Sequence, residues 1–406
     1  MKVLAANKYY FVKGGAERYL FVLKRILERQ GHTVVPFAMD HTQNEPCEAS
    51  DYFVSFEGFD DHDGLVARGR AAARLLYSRE ARRKIEALVD ATGPDVAHLH
   101  NIAHQLSPSI LYGLKSRGVP VVQTLHDYKL VCPNYQMLVR GRTCERCADW
   151  RYYSAVIQRC MRDSVMSSAL VALEAYVHKL LGTYSRNVDV FVAPSRQLRD
   201  KMIAHGVDGD KIVHLPNTLA LEEYEPRYES DGYGVYVGRL ASGKGLGTLL
   251  SALARASDVR FKIVGTGPMA EGLETAASEG ELSNVEFLGY RSGEELKAIV
   301  AGALFVAVPS EWYENSPLTV FEAFAQGKPV VGSNIGGIPE LVSDGESGLI
   351  FEPGDAEDFA DRILALWNDR GLAMEMGKAA RNRVETHFSP AIHYEKMMEI
   401  YERATA

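Results

Sequence analysis

The apolar positions of this chain fall in short runs separated by longer helix-like stretches. Lys2 to Ala6, Thr33 to Ala38, Val96 to Leu99, Val121 to Thr124 and Val190 to Val192 are such runs, several with Gly or Pro at their ends. That alternation predicts a parallel sheet covered by helices. The second half repeats it with Val235 to Val237, Phe261 to Val264, Val285 to Leu288, Phe305 to Val308 and Pro329 to Val331. The expected fold is therefore α/β, with two doubly wound domains. One further helix after Val190 to Ser195 leads to Leu215-Pro216-Asn217, so the join is predicted there: residues 1–215 form one domain and 216–388 the next. Phe388-Ser389-Pro390 stops one helix and starts another, with Ser as cap and Pro just inside. The closing helix, 389–406, is free to fold back on either domain. Ligands of open parallel sheets lie beyond the carboxyl ends of the strands, and two facing domains make the gap between them the expected active site.

Composition narrows the class. With 406 residues, 46% hydrophobic and 24% charged, the chain is ordinary globular protein with enough apolar content for two cores. A net charge of -8 argues against nucleic-acid binding, because no overall positive field exists to replace phosphate counterions. Met1 to Ala6 reads as a strand and not as a secretory signal, and no apolar run has membrane-spanning length, so the expected compartment is the cytoplasm. A lipid-linked substrate would have to be met from the membrane surface. The basic stretch holding Arg68, Arg70, Arg74, Arg79, Arg82, Arg83 and Lys84 is one candidate contact, and the loop from Lys8 through Tyr9, Tyr10, Phe11 and Val12 to Lys13 is another. The basic stretch reads equally as a solvated charged face.

Residues able to do chemistry collect just after the strands. Gly14-Gly15-Ala16-Glu17 follows the first, His98-Leu99-His100-Asn101 ends the third, and Leu125-His126-Asp127-Tyr128 ends the fourth. In the second half Gly238-Arg239-Leu240 with Lys244-Gly245, Gly265-Thr266-Gly267 and the run from Pro309 to Ala323 do the same. In that last run Glu314 sits in a loop, Ser316 and Pro317 read as N-cap and first helical residue, and Glu322 lies about two turns along the helix. Free amides at a helix start attract phosphate, and flanking carboxylates suit sugar hydroxyls, a combination that points to a nucleotide-sugar. A departing nucleoside diphosphate gathers negative charge. Arg239 offers a fixed guanidinium fork to meet it and Lys244 a mobile point charge. Gly14 and Gly15 allow a backbone to approach the diphosphate from the other domain, since no side chain blocks it and positive φ costs little.

Taken in order, these segments resemble the retaining glycosyltransferases of family 4, which have the GT-B fold of two facing Rossmann-like domains. The pieces that carry the resemblance are Gly14 to Glu17, His126-Asp127-Tyr128, Ala193 to Ser195, Gly238-Arg239-Leu240 with Lys244-Gly245, the Glu314 and Glu322 pair, and Gly336-Gly337-Ile338-Pro339-Glu340. The resemblance implies transfer of a sugar from a UDP- or GDP-linked donor to a glycan or lipid-linked saccharide, with no divalent metal in catalysis. It also implies that Glu322 holds the ribose and Glu314 the transferred sugar. Backbone amides of Asn315, Ser316, Pro317's neighbours Leu318 and Thr319 would lie near sugar and distal phosphate, and the base beside Gly289, Tyr290 and Arg291, with Gly265 nearby. His126 is implied on the acceptor side, where His98, His100, Asn101 and Tyr128 are further candidates; the two histidines ending a strand also read as packed, hydrogen-bonded groups. Without a carboxylate assignable beneath the anomeric carbon, a front-face route is the expectation. Two other readings of the same fold stay open: a nucleotide-sugar 2-epimerase, and a non-catalytic sugar-nucleotide binding subunit. No Gly-x-Gly-x-x-Gly stands where a nicotinamide site needs it, so a dehydrogenase is poorly supported.

Five cysteines are few for such a length, as in a reducing compartment. Four of them, Cys132, Cys144, Cys147 and Cys160, fall in one insert at 130–162, and the Cys144-Glu-Arg-Cys147 spacing suits a metal knuckle. A structural zinc, free or buried thiols, and disulfides are the alternatives.

Overall fold

A computed structural model describes residues 1–55, 73–104 and 106–406 of the chain. It divides into two compact units: Met1–Met137 with Glu145–Pro216 and His393–Ala406, and Leu138–Cys144 with Asn217–Ile392.

In chain order the first unit's strands are β1 Lys2–Ala6, β2 Thr33–Phe37, β3 Val96–Leu99 and β4 Val121–Thr124. A hairpin, β5 Leu138–Val139 and β6 Arg142–Thr143, belongs to the second unit, and the first resumes with β7 Val190–Ala193 and β8 Ile212–His214. These six main strands form one parallel sheet in the order β2-β1-β3-β4-β7-β8. The strands β3, β4 and β7 are buried along their whole length, which is why their sequences are almost uniformly apolar: a parallel sheet is covered on both faces. The closing helix Pro390–Thr405 folds back here. Its Met397, Ile400 and Tyr401 join Val3, Tyr19, Leu23, Val96, Val122 and Val190 in one core.

The second unit runs β9 Gly234–Val237, β10 Phe261–Val264, β11 Val285–Gly289, β12 Phe305–Val308, β13 Val330–Ser333 and β14 Gly348–Phe351. They too are parallel, in the order β11-β10-β9-β12-β13-β14. One core, around Leu249, Leu253, Phe261, Phe305 and Phe359, covers one face. The other, around Val235, Val306, Phe321, Phe324 and Val330, covers the opposite face. The winding reverses between β9 and β12, so their carboxyl ends open a crevice there. In the first unit the reversal falls between β1 and β3.

The expected strands are present, and the structure adds the hairpin β5–β6 and, at one edge of each sheet, the short outer strands β8 and β14. Among the described residues no helix is long and apolar enough to cross a membrane. Of the basic stretch expected at 68–84, Arg68 and Arg70 lie outside the described residues. Its remaining charges are largely engaged: Arg74 pairs with Glu80 at 2.5 Å, Arg82 with Glu86 at 2.8 Å, and Lys84 donates to the Phe53 carbonyl.

Tyr401 is fully buried and its hydroxyl lies 2.7 Å from His98 Nδ1. Tyr401→Ala should therefore destabilise the first unit by about 3–5 kcal/mol, the usual cost of emptying a buried aromatic site. A urea midpoint unchanged from wild type would show that the returning helix does not support this core.

Candidate functional site: the carboxyl edges of the two sheets

At the β9/β12 crevice the loops are tied together by main-chain hydrogen bonds. Gly238 N donates to Val264 O (3.0 Å), Leu240 N to Thr266 O (2.9 Å), and Glu311 N to Gly243 O (2.7 Å). The Gly243–Gly245 turn must be small. Gly245 has φ of +67° and a Cβ there would come within 1.6 Å of the Pro309 carbonyl oxygen, so only glycine lets the two loops meet. Gly245 caps the helix Leu246–Arg255, and Lys244 stands immediately before it.

That position sends Lys244 to Glu314. The Glu314 carboxylate, with its side chain only 11% exposed, accepts hydrogen bonds on Oε1 from Lys244 Nζ, from Trp312 Nε1 (2.7 Å) and from Ser310 Oγ (2.9 Å). Burial pushes this carboxyl up, but the Lys244 ammonium and the three hydrogen bonds outweigh it and hold the group below its ordinary value. Glu314 is thus an anion at neutral pH, and Lys244, 25% exposed, keeps an open side. Lys244 Nζ also lies 5.1 Å from the Trp312 ring centroid. Arg239 is exposed on the same loop.

The backbone of Glu314 is seated by the Gly336-Gly337 turn. Gly337 N donates to Glu314 O (2.7 Å), and a Cβ on Gly336 would lie 2.3 Å from that oxygen. Glu322 is 8% exposed, with the Tyr224 hydroxyl 3.5 Å from its Oε1. The helix bearing it runs Leu318–Ala325 with Pro317 in the capping position, so Glu322 lies little more than one turn along. Ser316 is not a side-chain cap. It is buried, its Oγ accepts from Asn217 N (3.4 Å) and its carbonyl from Asn217 Nδ2 (2.9 Å), so the hydroxyl fixes the loop instead of the helix start. Asn315, Leu318 and Thr319 stay partly exposed along this turn. Gly265 N donates to Gly289 O (2.8 Å), which joins the ends of β10 and β11. Beyond them Tyr290 is 69% exposed, while Arg291 is engaged by Glu295 at 2.7 Å.

In the first unit Gly14 and Gly15 are exposed at the start of the helix Gly15–Arg29, with no neighbour that would block a Cβ on Gly15. Neither uses a left-handed conformation; Gly14 is extended at φ of -162°. Their contribution is open space and not positive φ. His126 is partly exposed at the end of β4 and shares a 2.9 Å hydrogen bond with His100. The candidates beside it are of two kinds. Asn101 is partly exposed, but His98, His100 and Tyr128 are buried and do not reach the surface. His98 bridges Tyr401 Oη and Thr124 Oγ1, each at 2.7 Å, and stacks on His100 at 4.6 Å. The Tyr128 hydroxyl donates to Gln197 Oε1 at 2.7 Å. His98 and His100 thus back His126 from within the core, while Tyr128 is held by Gln197.

Residues without a sequence-level signal complete both edges. Asn7 is buried, donates to Tyr9 O (2.8 Å) and Glu17 Oε1 (3.0 Å), and accepts from Asn101 N (3.1 Å), so it ties the ends of β1 and β3. Ser333 Oγ donates to Ser310 O at 2.6 Å. The hairpin residue Leu138 packs 3.0 Å from where a Gly243 Cβ would lie.

The cysteines do not gather into a four-thiol site. All five are free, and Cys132, buried, is drawn below the usual thiol value by a hydrogen bond from Cys147. Among the described residues no group of three or more His, Cys, Asp or Glu side chains is arranged to hold a metal ion.

Comparison with known proteins agrees with this geometry. The profile of glycosyltransferase family 4 matches residues 13–223 and that of glycosyl transferases group 1 matches residues 221–383. The chain belongs to glycosyltransferase family 4. It is 31% identical over 220 residues to a sulfoquinovosyl transferase of Arabidopsis thaliana, covering 50% of this chain and 42% of that protein. To an amylovoran biosynthesis glycosyltransferase of Erwinia amylovora it is 31% identical, covering 52% and 55%. The chain thus spans about half the length of these relatives. A glycogen synthase of Mycobacterium tuberculosis matches at 25% identity over 96% of this chain and 91% of its own. Among solved structures, a sucrose-phosphate synthase from Thermosynechococcus elongatus superposes with a TM-score of 0.74 at 22% identity, covering 99% and 98%. The Anabaena protein HepE, solved in complex with UDP-glucose, gives 0.68 at 18% identity, covering 99% of each. The fold is GT-B.

The histidines at the ends of β3 and β4 predict a pH dependence. Desolvation holds buried His98 at about 3 and holds His126, whose ring packs against Tyr19 and His100 while its edge stays partly exposed, at about 4, so both are neutral in the folded protein, whereas the unfolded chain takes up protons near 6.5. Stability should be level above about 6.5 and fall as pH drops from there towards 4. Urea midpoints recorded across this range test it, and a flat profile for wild type would contradict the assigned burial.

Proposed function

We propose that this chain transfers a sugar, with retention of anomeric configuration, from a nucleoside diphosphate donor, UDP- or GDP-linked, to a hydroxyl of a glycan or lipid-linked saccharide. The observation that carries the reading is the Lys244–Glu314 pair at the β9/β12 switch point. Lys244, fixed by Glu314 on one side and open on the other, meets the distal phosphate, and exposed Arg239 adds a second positive group. Glu314 keeps a second oxygen for the sugar hydroxyls, and Glu322 receives the ribose. The amides opening the helix Leu318–Ala325 add donors to the phosphate. Support for a nucleoside diphosphate sugar as donor also comes from HepE, whose structure holds UDP-glucose.

In the reaction the acceptor oxygen bonds to the anomeric carbon from the face that the diphosphate leaves. The carbon–oxygen bond to phosphate breaks, and the acceptor proton passes to the departing phosphate oxygen. Charge that a divalent ion could neutralise is met by Lys244 and Arg239, so the route needs no metal. His126, neutral at pH 7, faces the acceptor, where its ring or carbonyl orients a hydroxyl or stabilises positive charge at the sugar. The same reading keeps the protein in the cytoplasm, at the inner face of the membrane when the acceptor is lipid-linked.

Lys244→Ala should lower turnover per folded molecule about a hundredfold, since one preorganised charge contributes roughly 3 kcal/mol to such a transition state, and should also lower the melting temperature by leaving Glu314 without its ammonium partner. Near-wild-type turnover would remove Lys244 from the mechanism. A thermal-shift screen against nucleoside diphosphates and their sugars identifies the donor, because a ligand of the folded state raises its melting temperature by mass action. Incubation of that donor with and without acceptors then separates transfer from epimerisation: sugar isomerised with donor alone contradicts the proposal.

A further inference from the structure

Just after the insert, the first unit contains a helix turned inside out. In Val165–Leu180 the one carboxylate, Glu174, has no exposed side-chain surface; it takes a 2.7 Å hydrogen bond from Lys129 Nζ and lies 3.9 Å from His104 Nδ1. Ser168 and His178 are buried too, Ser168 Oγ accepting from Met161 N and His178 Nδ1 lying 3.1 Å from Thr183 Oγ1. The outward side carries Met166 (75% exposed), Leu173 (51%) and Leu180 (68%), which recur at helical spacing. The preceding helix Tyr153–Ile157 packs alongside, through Tyr153 N donating to Tyr176 Oη (3.3 Å), and exposes Ile157; Trp150, with Lys179 5.4 Å from its ring centroid, is exposed as well. A water-facing helix normally shows the reverse arrangement. So many large apolar groups left in water within one segment mark a contact surface.

The charges around this surface select its occupant. Arg146, Arg151, Arg159 and Arg162 are exposed in or just before this segment and outnumber the exposed Asp163 and Asp149, the latter 3.8 Å from Arg151; Glu145 is already taken by Lys201. This excess of positive charge stands on a chain whose net charge is -8. A two-fold contact between copies would set this arginine rim against itself, which disfavours a dimer. An anionic lipid surface suits both features: the apolar side chains enter the acyl boundary and the arginines meet the headgroups. We propose that the segment from Trp150 to Leu181 is a membrane-docking surface on which the helix Val165–Leu180 lies parallel to an anionic bilayer. This surface is separate from the basic stretch at 68–84, and the inference does not require the glycosyl-transfer reading.

Flotation of the full chain with vesicles of phosphatidylcholine, with and without phosphatidylglycerol, tests it. Wild type should float with the phosphatidylglycerol vesicles and release at high salt. Met166→Glu/Leu173→Glu should lower the bound fraction at least about tenfold at unchanged melting temperature, because two insertion groups are replaced by repelled charges. Leu180→Ser gives an independent reading near the helix end with a smaller loss, and Arg151→Gln/Arg159→Gln should weaken the dependence on phosphatidylglycerol. Wild type that stays in the dense fraction with both vesicle types would overturn the proposal. So would apolar-face variants that float like wild type, or light scattering that shows a wild-type dimer split to monomers by Met166→Glu/Leu173→Glu.

Discussion

Everything in the second unit's crevice depends on one buried carboxylate that is kept charged. Burial by itself pushes Glu314 towards its neutral form; Lys244, Trp312 and Ser310 together reverse that tendency. The pair has consequences in both directions. It fixes a long, otherwise mobile lysine chain at the place where the strand order reverses, and it leaves a carboxylate oxygen free for a ligand. The glycines are the steric condition for the pair. Side chains at Gly245 or Gly336 would collide with the main chain of Pro309 or Glu314, separating the two loops that carry the charges.

Much of the architecture was legible because a parallel sheet covered on both faces writes itself as apolar runs. The runs at Val96, Val121, Phe261 and Phe305 are of this kind. The outer strands Ile212–His214 and Gly348–Phe351 carry less of that signal, the first being three residues long and partly exposed, the second opening on a glycine. At the site, residue type and position relative to strand ends pointed to Lys244 and Glu314, which the structure brings together as an ion pair. Type and position were not sufficient to separate ligand-facing groups from supporting ones. His98 and His126 both end strands, yet one is locked between Tyr401 and Thr124 and the other reaches the edge. That difference is made by a helix from the far end of the chain, which no local pattern reports. Ser316 shows the same limit: Ser-Pro is a sound cap signal, but Asn217, about a hundred positions away, claims the hydroxyl.

The segment between β4 and β7 holds features that no local pattern announced: a hydrogen-bonded Cys132–Cys147 pair, a hairpin resting on the Gly243 loop, and a helix with its carboxylate turned inward. Burying Glu174 with Lys129 costs desolvation that an apolar pair would avoid. Exposing Met166 and Leu173 forgoes burial that a core would have provided. A helix held in this orientation against both tendencies is best accounted for by what its outer face touches.

The central claim is that Lys244, held by Glu314, is the group that receives the diphosphate. Calorimetric titration of nucleoside diphosphates into wild type and into Arg239→Ala/Lys244→Ala, at matched folded fraction, measures it without the complications of turnover or acceptor. The account predicts a diphosphate-dependent heat in wild type that is lost in the variant. Equal affinity in the two proteins would place the phosphate elsewhere and contradict it.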